Sequence, residues 1–166
     1  MRYVLIIILL SLMTATAGAA VGQADQPFGL GVIVGEPTGI SGKYWFDTRQ
    51  AIDFAAAWSF SANNSFQFHT DYLRHYPEMI KTPDRWRGKF NAYFGVGGRI
   101  KLKEDNNGSG RNNDDDLLGV RVPGGVTFVF DKVPVELFVE IAPVLDLVPD
   151  TDLDVNGATG ARFYFH

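Results

Sequence analysis

The sequence contains no cysteine, so the fold has neither a disulfide framework nor a lipidated N-terminal cysteine. Charged residues make up only 20% of the 166 residues and the formal net charge is -4, which provides no basic surface for nucleic acid. Runs of the helix-favouring residues typical of bundles are absent after residue 20. Glycine, at 18 residues, and aromatic residues, at 13%, are instead abundant, which favours β structure in a single domain.

The N-terminus has the three regions of a secretory signal peptide. A cationic start, "MRY", precedes the apolar run "VLIIILLSLM" and then small residues, among which Ala17 and Ala19 fit the A-x-A cleavage rule. The apolar run is too short for a comfortable transmembrane helix. We therefore expect residues 1–19 to be removed on export, with cleavage as late as residue 24, and residues 25–166 to form the mature domain.

Period-two alternation of apolar and polar residues recurs between turn signals along the mature chain. It predicts eight strands and no long helix, with the strands at 28–36, 40–46, 51–60, 66–76, 89–103, 117–130, 135–147 and 154–165. Pro123 and Pro143 lie inside two of these strands, where each removes a hydrogen-bond donor, so bulges or interrupted pairing are expected there. An antiparallel meander is the simplest topology.

The two faces of these strands differ in a way that a soluble fold does not explain. In residues 135–147, one parity is apolar throughout, whereas the other carries Glu136, Glu140 and Asp146. Most strands repeat this contrast, and small residues lie between the charges. A soluble sandwich or lipocalin-like barrel would have to enclose the aromatic face, which is too bulky for an eight-stranded lumen. With the apolar face in lipid, the pattern predicts an all-β, eight-stranded antiparallel up-and-down transmembrane β-barrel.

The charged face is expected to fill the lumen with ion pairs, because a buried charge without a partner is costly. Cations and carboxylates on this face nearly balance, which favours a plugged barrel over the alternative of a narrow pore. Glu136 and Glu140 are expected to pair with Arg99, Arg121 or Arg162, although sequence does not determine the cross-strand register. The predicted lumenal polar network comprises Lys43, Asp53, His69, Asp71, Arg99, Arg121, Glu136, Glu140 and Arg162.

A second interpretation applies to His69, Asp71 and His75, which share one parity in "HTDYLRH". They are compatible with a metal site or a histidine–aspartate base in a lipid-modifying or ligand-binding barrel. A hydrogen-bond network is favoured, because the sequence specifies no third anionic ligand and no nucleophile, and His75 lies near the strand end. Ser41 and Ser59 share the lumenal parity, but no stretch resembles the signatures of barrel deacylases or palmitoyltransferases. We therefore predict no catalytic residue, no metal and no cofactor.

Loop lengths give a partly independent test, because periplasmic turns of bacterial barrels are short and external loops are longer. The polar stretch 104–116 is expected to be external. The acidic stretch "PDTDLDVNG" is also expected to be a solvated external loop, since it lacks the glycine and glutamate of a calcium-binding loop. The connection 77–88 should be periplasmic but is too long for the rule, and Trp86 is expected to lie at the lipid headgroups.

The C-terminal stretch "GARFYF" resembles the assembly signal of outer-membrane β-barrels, in which a glycine precedes two spaced aromatic residues, here Gly160, Phe163 and Phe165. His166 after the last aromatic residue, and Ala158 where a polar residue is common, depart from that pattern. With the signal peptide and the eight alternating strands, the mature chain is similar to the small OmpA/OmpX-type barrels of Gram-negative bacteria. The resemblance implies insertion into the bacterial outer membrane by the barrel-assembly machinery.

We accordingly expect a monomer with a structural, adhesion or interaction role. Its partners would be outer-membrane lipid and lipopolysaccharide, with no nucleic acid and no cofactor.

Overall fold

The computed structural model describes residues 27–59, 65–77, 79–81, 83, 86–103 and 116–165. The predicted signal peptide and nearly all of the polar stretch 104–116 lie outside the described residues. No helix in the described part of the chain is long and apolar enough to cross a membrane. The described residues form nine strands, namely β1 (Phe28–Gly35), β2 (Gly39–Trp45), β3 (Gln50–Ser59), β4 (Ser65–Tyr76), β5 (Gly88–Lys103), β6 (Leu117–Arg121), β7 (Gly124–Phe130), β8 (Val135–Val148) and β9 (Asp152–Phe165).

The strands pair antiparallel in a sheet that closes on itself, with β1 beside β9 and β4 beside β5. Stepping from Leu30 to each cross-strand partner in turn leads once round the ring to Leu153 in β9. In the pairing of β9 with β1, the numbers of opposite residues always sum to 193, as for Phe163 and Leu30. If this register is extended, Leu153 corresponds to position 40, which is ten residues beyond Leu30, the residue from which the path started. An offset of this size tilts the strands by about 40° from the barrel axis.

The predicted sixth strand, 117–130, is interrupted after Arg121 and resumes at Gly124. Its two halves, β6 and β7, keep one register against β5 and occupy one position in the ring, so the predicted eight-stranded up-and-down barrel is confirmed. The interruption expected at Pro123 is present. Pro143 lies within a continuous β8, where its carbonyl accepts the Val122 amide at 2.9 Å. The two prolines thus share one seam of the barrel.

Side chains alternate between an apolar outer surface and a polar interior. In β8, Leu137, Val139 and Ile141 are 42–61% exposed, whereas Glu136 and Glu140 are 0% and 4% exposed. A soluble barrel with its aromatic face inside is therefore the wrong interpretation of this alternation. The strand period turns the residues of one parity outward and those of the other inward.

The described part of the interior holds bulky side chains as well as the small residues that lie between its charges. Four buried aromatic side chains lie among them, namely Trp45, Tyr93, Phe138 and Tyr164. Space for three of these rings comes from a glycine directly opposite on the neighbouring strand, in the pairs Tyr93–Gly125, Phe138–Gly160 and Tyr164–Gly29. A Cβ at any of these glycines would lie 2.5–2.7 Å from ring atoms, so only glycine leaves room for the ring.

Candidate functional site: the charged barrel interior

Glu136 is the centre of a first group of buried charges. Its carboxylate accepts hydrogen bonds from Lys43 Nζ at 3.0 and 3.1 Å, from Arg162 Nη1 at 3.0 Å and from the Tyr164 hydroxyl at 3.1 Å. The register explains the arginine contact, because Glu136 in β8 stands directly opposite Arg162 in β9. Charge-assisted bonds of this kind are about twice as strong as neutral ones. The predicted Glu136–Arg162 pairing is thus present in the structure.

Arg162 extends this group to the other side of the barrel. Its Nη2 donates to Asp53 Oδ2 at 3.1 Å, while Nε and Nη2 donate to Ser41 Oγ at 3.0 and 2.8 Å. The guanidinium carbon lies 4.0 Å from the centre of the Phe138 ring, as in a cation–π contact. The hydroxyl of Ser41 is therefore an acceptor for an arginine.

Lys43 lies in a pocket with aromatic walls. Its Nζ is 2.9 Å from His75 Nε2 and 4.4 Å from the centre of the Trp45 ring. His75 is 1% exposed and its ring lies 4.3 Å from that of Trp45. The expectation that His75 lies too close to the strand end to be interior is therefore wrong, since β4 continues to Tyr76.

Arg121 is the centre of a second group. Its Nε donates to Asp71 Oδ2 at 2.7 Å and its Nη2 donates to Glu140 Oε1. The other oxygen of Glu140 accepts the Tyr93 hydroxyl at 2.8 Å. Arg121 Nη1 lies 3.5 Å from His69 Nδ1, a contact at the limit of hydrogen bonding. The predicted Glu140–Arg121 pairing is present, and His69 lies beside it.

Arg99 forms the third group, with partners other than those predicted. It binds Asp146 through two hydrogen bonds, from Nε at 3.1 Å and from Nη2 at 2.6 Å, and its Nη1 donates to Asp154 Oδ2 at 2.9 Å. The expected partners Glu136 and Glu140 are held by other cations. Asp154 thus lies in a strand and an ion pair rather than in a wholly solvated loop.

A glycine in the intervening strand allows two of these ion pairs to form. Asp71 of β4 and Arg121 of β6 both stand opposite Gly97 of β5. Arg99 of β5 and Asp146 of β8 likewise both stand opposite a glycine of β6, Gly119. A Cβ would lie 2.0 Å from Asp71 Oδ1 in the first case and 2.4 Å from Asp146 Oδ1 in the second. Charged side chains two strands apart therefore meet across a position without a side chain.

Asn156 links the second and third groups. Its Oδ1 accepts hydrogen bonds from Arg99 Nη1 at 3.2 Å and from Arg121 Nη1 at 3.4 Å. Sequence reasoning did not include Asn156 in the predicted network, nor the hydroxyls of Tyr93 and Tyr164. The signal that would have found all three is their parity, which is that of the interior charges.

Asp53 of the first group and His69 and Asp71 of the second group together form a cluster, and they are 2%, 2% and 1% exposed. Each offers one nitrogen or oxygen atom within 4.8 Å of the atoms from the other two. Asp53 and Asp71 are direct cross-strand partners of β3 and β4. Like charges placed opposite each other in this way are destabilising unless another group compensates them.

Neither a protein-family model nor a curated protein matches the chain. Among solved structures, it is similar to the N-terminal β-barrel domain of OprF from Pseudomonas aeruginosa, with a TM-score of 0.58 and 12% sequence identity over 84% of this chain and 98% of that one. The chain has the fold of the small eight-stranded outer-membrane β-barrels. It also matches Neisserial surface protein A (NspA), with a TM-score of 0.46 and 12% identity over 83% of this chain and 93% of that one. At these identities the likeness concerns the fold.

The residues of the predicted assembly signal of this barrel lie on opposite faces of β9. Phe163 and Phe165 are 46% and 47% exposed, and their ring centres are 5.2 Å apart on the outer surface. Gly160 stands beneath the Phe138 ring in the interior. The role of these residues in assembly stays a prediction, and Gly160 has a packing role besides.

Trp86 belongs to an aromatic group on the outer surface of the barrel. It is 47% exposed, and its ring centre lies 5.7 Å from those of both Phe90 and Phe128. Residues 78, 82, 84 and 85 of the long connection lie outside the described residues. The headgroup position expected for Trp86 stays a prediction.

Proposed function

We propose that the chain is an integral protein of the bacterial outer membrane, exported through its signal peptide, with a plugged interior and a structural, adhesion or interaction role. The observation that carries this proposal is the inverted distribution of side chains. Among the described residues, thirty large hydrophobic side chains are exposed, while sixteen polar or charged side chains are buried. Soluble proteins rarely expose apolar patches larger than a few hundred Å².

A lipid environment accounts for the outer surface. The outward-facing side chains of β8 from Leu137 to Leu147 carry no charge, and each is apolar. A charge on the lipid face costs about 2–4 kcal/mol near the bilayer midplane, so an unbroken apolar row is what insertion requires. The closed ring of strands also satisfies the backbone hydrogen bonds that lipid cannot satisfy.

The interior supports a plugged barrel rather than a pore. Lys43, Arg121 and Glu136 are 0% exposed, and Arg99 and Arg162 are 1% and 3% exposed. Charges that line an aqueous channel keep contact with water, whereas each of these side chains is held in an ion pair with another charged side chain. We therefore expect no steady ion flux through the folded barrel.

The serine and histidine contacts support a role without catalysis. A hydrolytic serine needs a histidine base within hydrogen-bonding reach, and the histidine needs a group that orients it. Ser41 instead accepts two hydrogen bonds from Arg162, and His75 lies beside Lys43. His69 Nδ1 lies 3.5 Å from Arg121 Nη1, so the neighbour of this nitrogen is a cation rather than a hydroxyl nucleophile.

Membrane insertion is tested by expressing the full chain in a Gram-negative host and washing the outer-membrane fraction with carbonate. A band that stays in the washed membrane and changes mobility on boiling is the expected result, because closed barrels resist unfolding by SDS at room temperature. A soluble periplasmic product without a mobility change would contradict the proposal. Planar-bilayer recording of the purified barrel then tests the plug, and a steady conductance would rule it out.

A further inference from the structure

We propose that Asp53, His69 and Asp71 form a binding site for one divalent transition-metal ion, of which Zn²⁺ is the representative, inside the barrel. The site goes beyond the proposed function, and it differs from the prediction of no metal made from the sequence. That prediction was made because no third anionic ligand could be named for His69 and Asp71. The structure supplies one, because Asp53 in β3 stands directly opposite Asp71 in β4.

The donor set and its spacing suit such an ion. Two carboxylates and an imidazole are ligands that zinc accepts, usually with water in the fourth position when the protein supplies three. Ligand atoms of a tetrahedral zinc site lie about 3.4 Å apart, given bonds of about 2.0–2.1 Å. The atoms offered by Asp53, His69 and Asp71 are within 4.8 Å of one another, so the three side chains would have to move closer together to bind one ion. His69 and Asp71 are two residues apart on one strand and therefore share its interior face.

Unbonded oxygens provide an independent sign that a ligand is needed. Asp53 Oδ2 is bonded by Arg162 and Asp71 Oδ2 by Arg121, but the Oδ1 atoms of both aspartates are buried without a hydrogen-bond partner among the described residues. Burial of a carboxylate oxygen without a donor is costly. Asp146, which is as deeply buried, has both oxygens bonded by Arg99. Among the carboxylates that form the interior ion pairs of the described residues, Asp53 and Asp71 are thus the two with a buried oxygen that accepts no hydrogen bond.

The charge balance of the interior points to a cation. Within the described residues, the ion pairs join four buried cations to five buried carboxylates and to the partly exposed Asp154, so buried negative charges exceed buried positive charges by one. A divalent ion at the cluster would offset this excess where the two like charges of Asp53 and Asp71 meet. Arg121 and Arg162 would keep their bonds to the other oxygens and orient both carboxylates.

The test uses the full chain exported in a Gram-negative host, purified as the folded barrel in detergent, stripped with a chelator and dialysed. Zn²⁺ is titrated calorimetrically, and zinc retained after desalting is counted by mass spectrometry. The test variants are Asp71→Asn and His69→Gln. The matched controls are Asp146→Asn, which makes the same charge change in the same interior, and His75→Gln, which alters the other buried histidine of β4. The mobility change on boiling shows which variants are folded.

We expect one zinc ion per barrel for the unmodified chain and for both controls, and at least tenfold weaker binding for Asp71→Asn and His69→Gln. Absence of retained zinc from the unmodified chain would overturn the proposal, and would favour a proton shared by the two aspartates. Equal binding by all variants would overturn it too, because the zinc would then lie elsewhere. If neither test variant folds, zinc-edge X-ray absorption of the unmodified barrel tests the proposal instead. The proposed site requires one imidazole ligand and otherwise oxygen ligands around the zinc. Membrane fractionation is a separate result, so failure of this site leaves the proposed function untouched.

Discussion

Replacement of Glu136 by glutamine is expected to lower the free energy of unfolding of the barrel by about 3–5 kcal/mol, the cost of breaking a buried ion pair by removing one partner. Lys43 and Glu136 are both 0% exposed, and within the described residues Glu136 is the carboxylate to which Lys43 is paired. Glutamine preserves the size of the side chain. The variant therefore removes charge without creating a cavity.

The magnitude follows from the contacts of the carboxylate. Glu136 accepts four hydrogen bonds from three side chains, two of them from Lys43 and one each from Arg162 and Tyr164. The glutamine amide keeps one acceptor oxygen and presents an NH₂ group to donors in place of the other. Arg162 retains Asp53, whereas Lys43 is left without a carboxylate, so most of the loss comes from Lys43.

The assay is urea unfolding of the barrel in lipid vesicles, followed by tryptophan fluorescence and by the mobility change on boiling. The double variant Glu136→Gln/Lys43→Met removes both charges, and it should recover at least half of the loss, because neutral replacement of a buried pair is often tolerated. Asp150→Asn, at an exposed carboxylate, should change stability by less than about 0.5 kcal/mol. A loss below about 1 kcal/mol for Glu136→Gln, or a double variant no more stable than the single one, would refute the reasoning about buried pairing.

Two further variants test the packing of the interior and the lipid face. Gly160→Ala should destabilise the barrel by about 1–3 kcal/mol, because the new Cβ would lie 2.5 Å from the Phe138 ring. The control Gly157→Ala should be nearly neutral in the same urea assay, because no atom lies within 4 Å of its new Cβ. Val139→Arg, at an outward position 60% exposed in the middle of β8, should reduce insertion into vesicles at a cost of about 2–4 kcal/mol. Asp152→Arg, at the first residue of β9, should cost little, and equal effects of the two arginines would argue against a lipid-facing surface.

The strands and their inward parity were predictable because both depend on a local period. Residues two apart share a face whatever the tertiary structure, so the alternation around Glu136 and Glu140 identified the interior side directly. The break at Pro123 was predictable for the same reason, since the missing donor is a property of the residue itself. The nine residues of the predicted network all lie on the interior parity, and eight of them make a hydrogen bond or an ion pair that joins different strands, with His69 at the limit of such a contact.

The identity of the partners was not predictable, because it depends on register over the whole ring. Arg99 meets Asp146 only because both stand opposite Gly119, and these three residues lie on three different strands. No local signal relates them. The same limit hid the cluster of Asp53 with Asp71, because the predicted meander places β3 beside β4 but does not determine which residues stand opposite each other.

Ion pairs that cross over a glycine also bear on why the barrel has one register. A slip of β4 by one residue against β5 would turn Asp71 and His69 onto the outer surface and bring Tyr72 and Thr70 inward, because the side-chain period is two. It would also separate Asp71 from Arg121 and remove Gly97 from the position that the Asp71 carboxylate occupies. A chain without disulfides therefore has a large energetic difference between the correct register and its neighbours, whatever net stability the buried charges contribute. The double variant Glu136→Gln/Lys43→Met, which lacks both charges, separates the effect on register from the effect on stability. A double variant that stays stable but gives several bands before boiling would show that the charges determine the register rather than the stability.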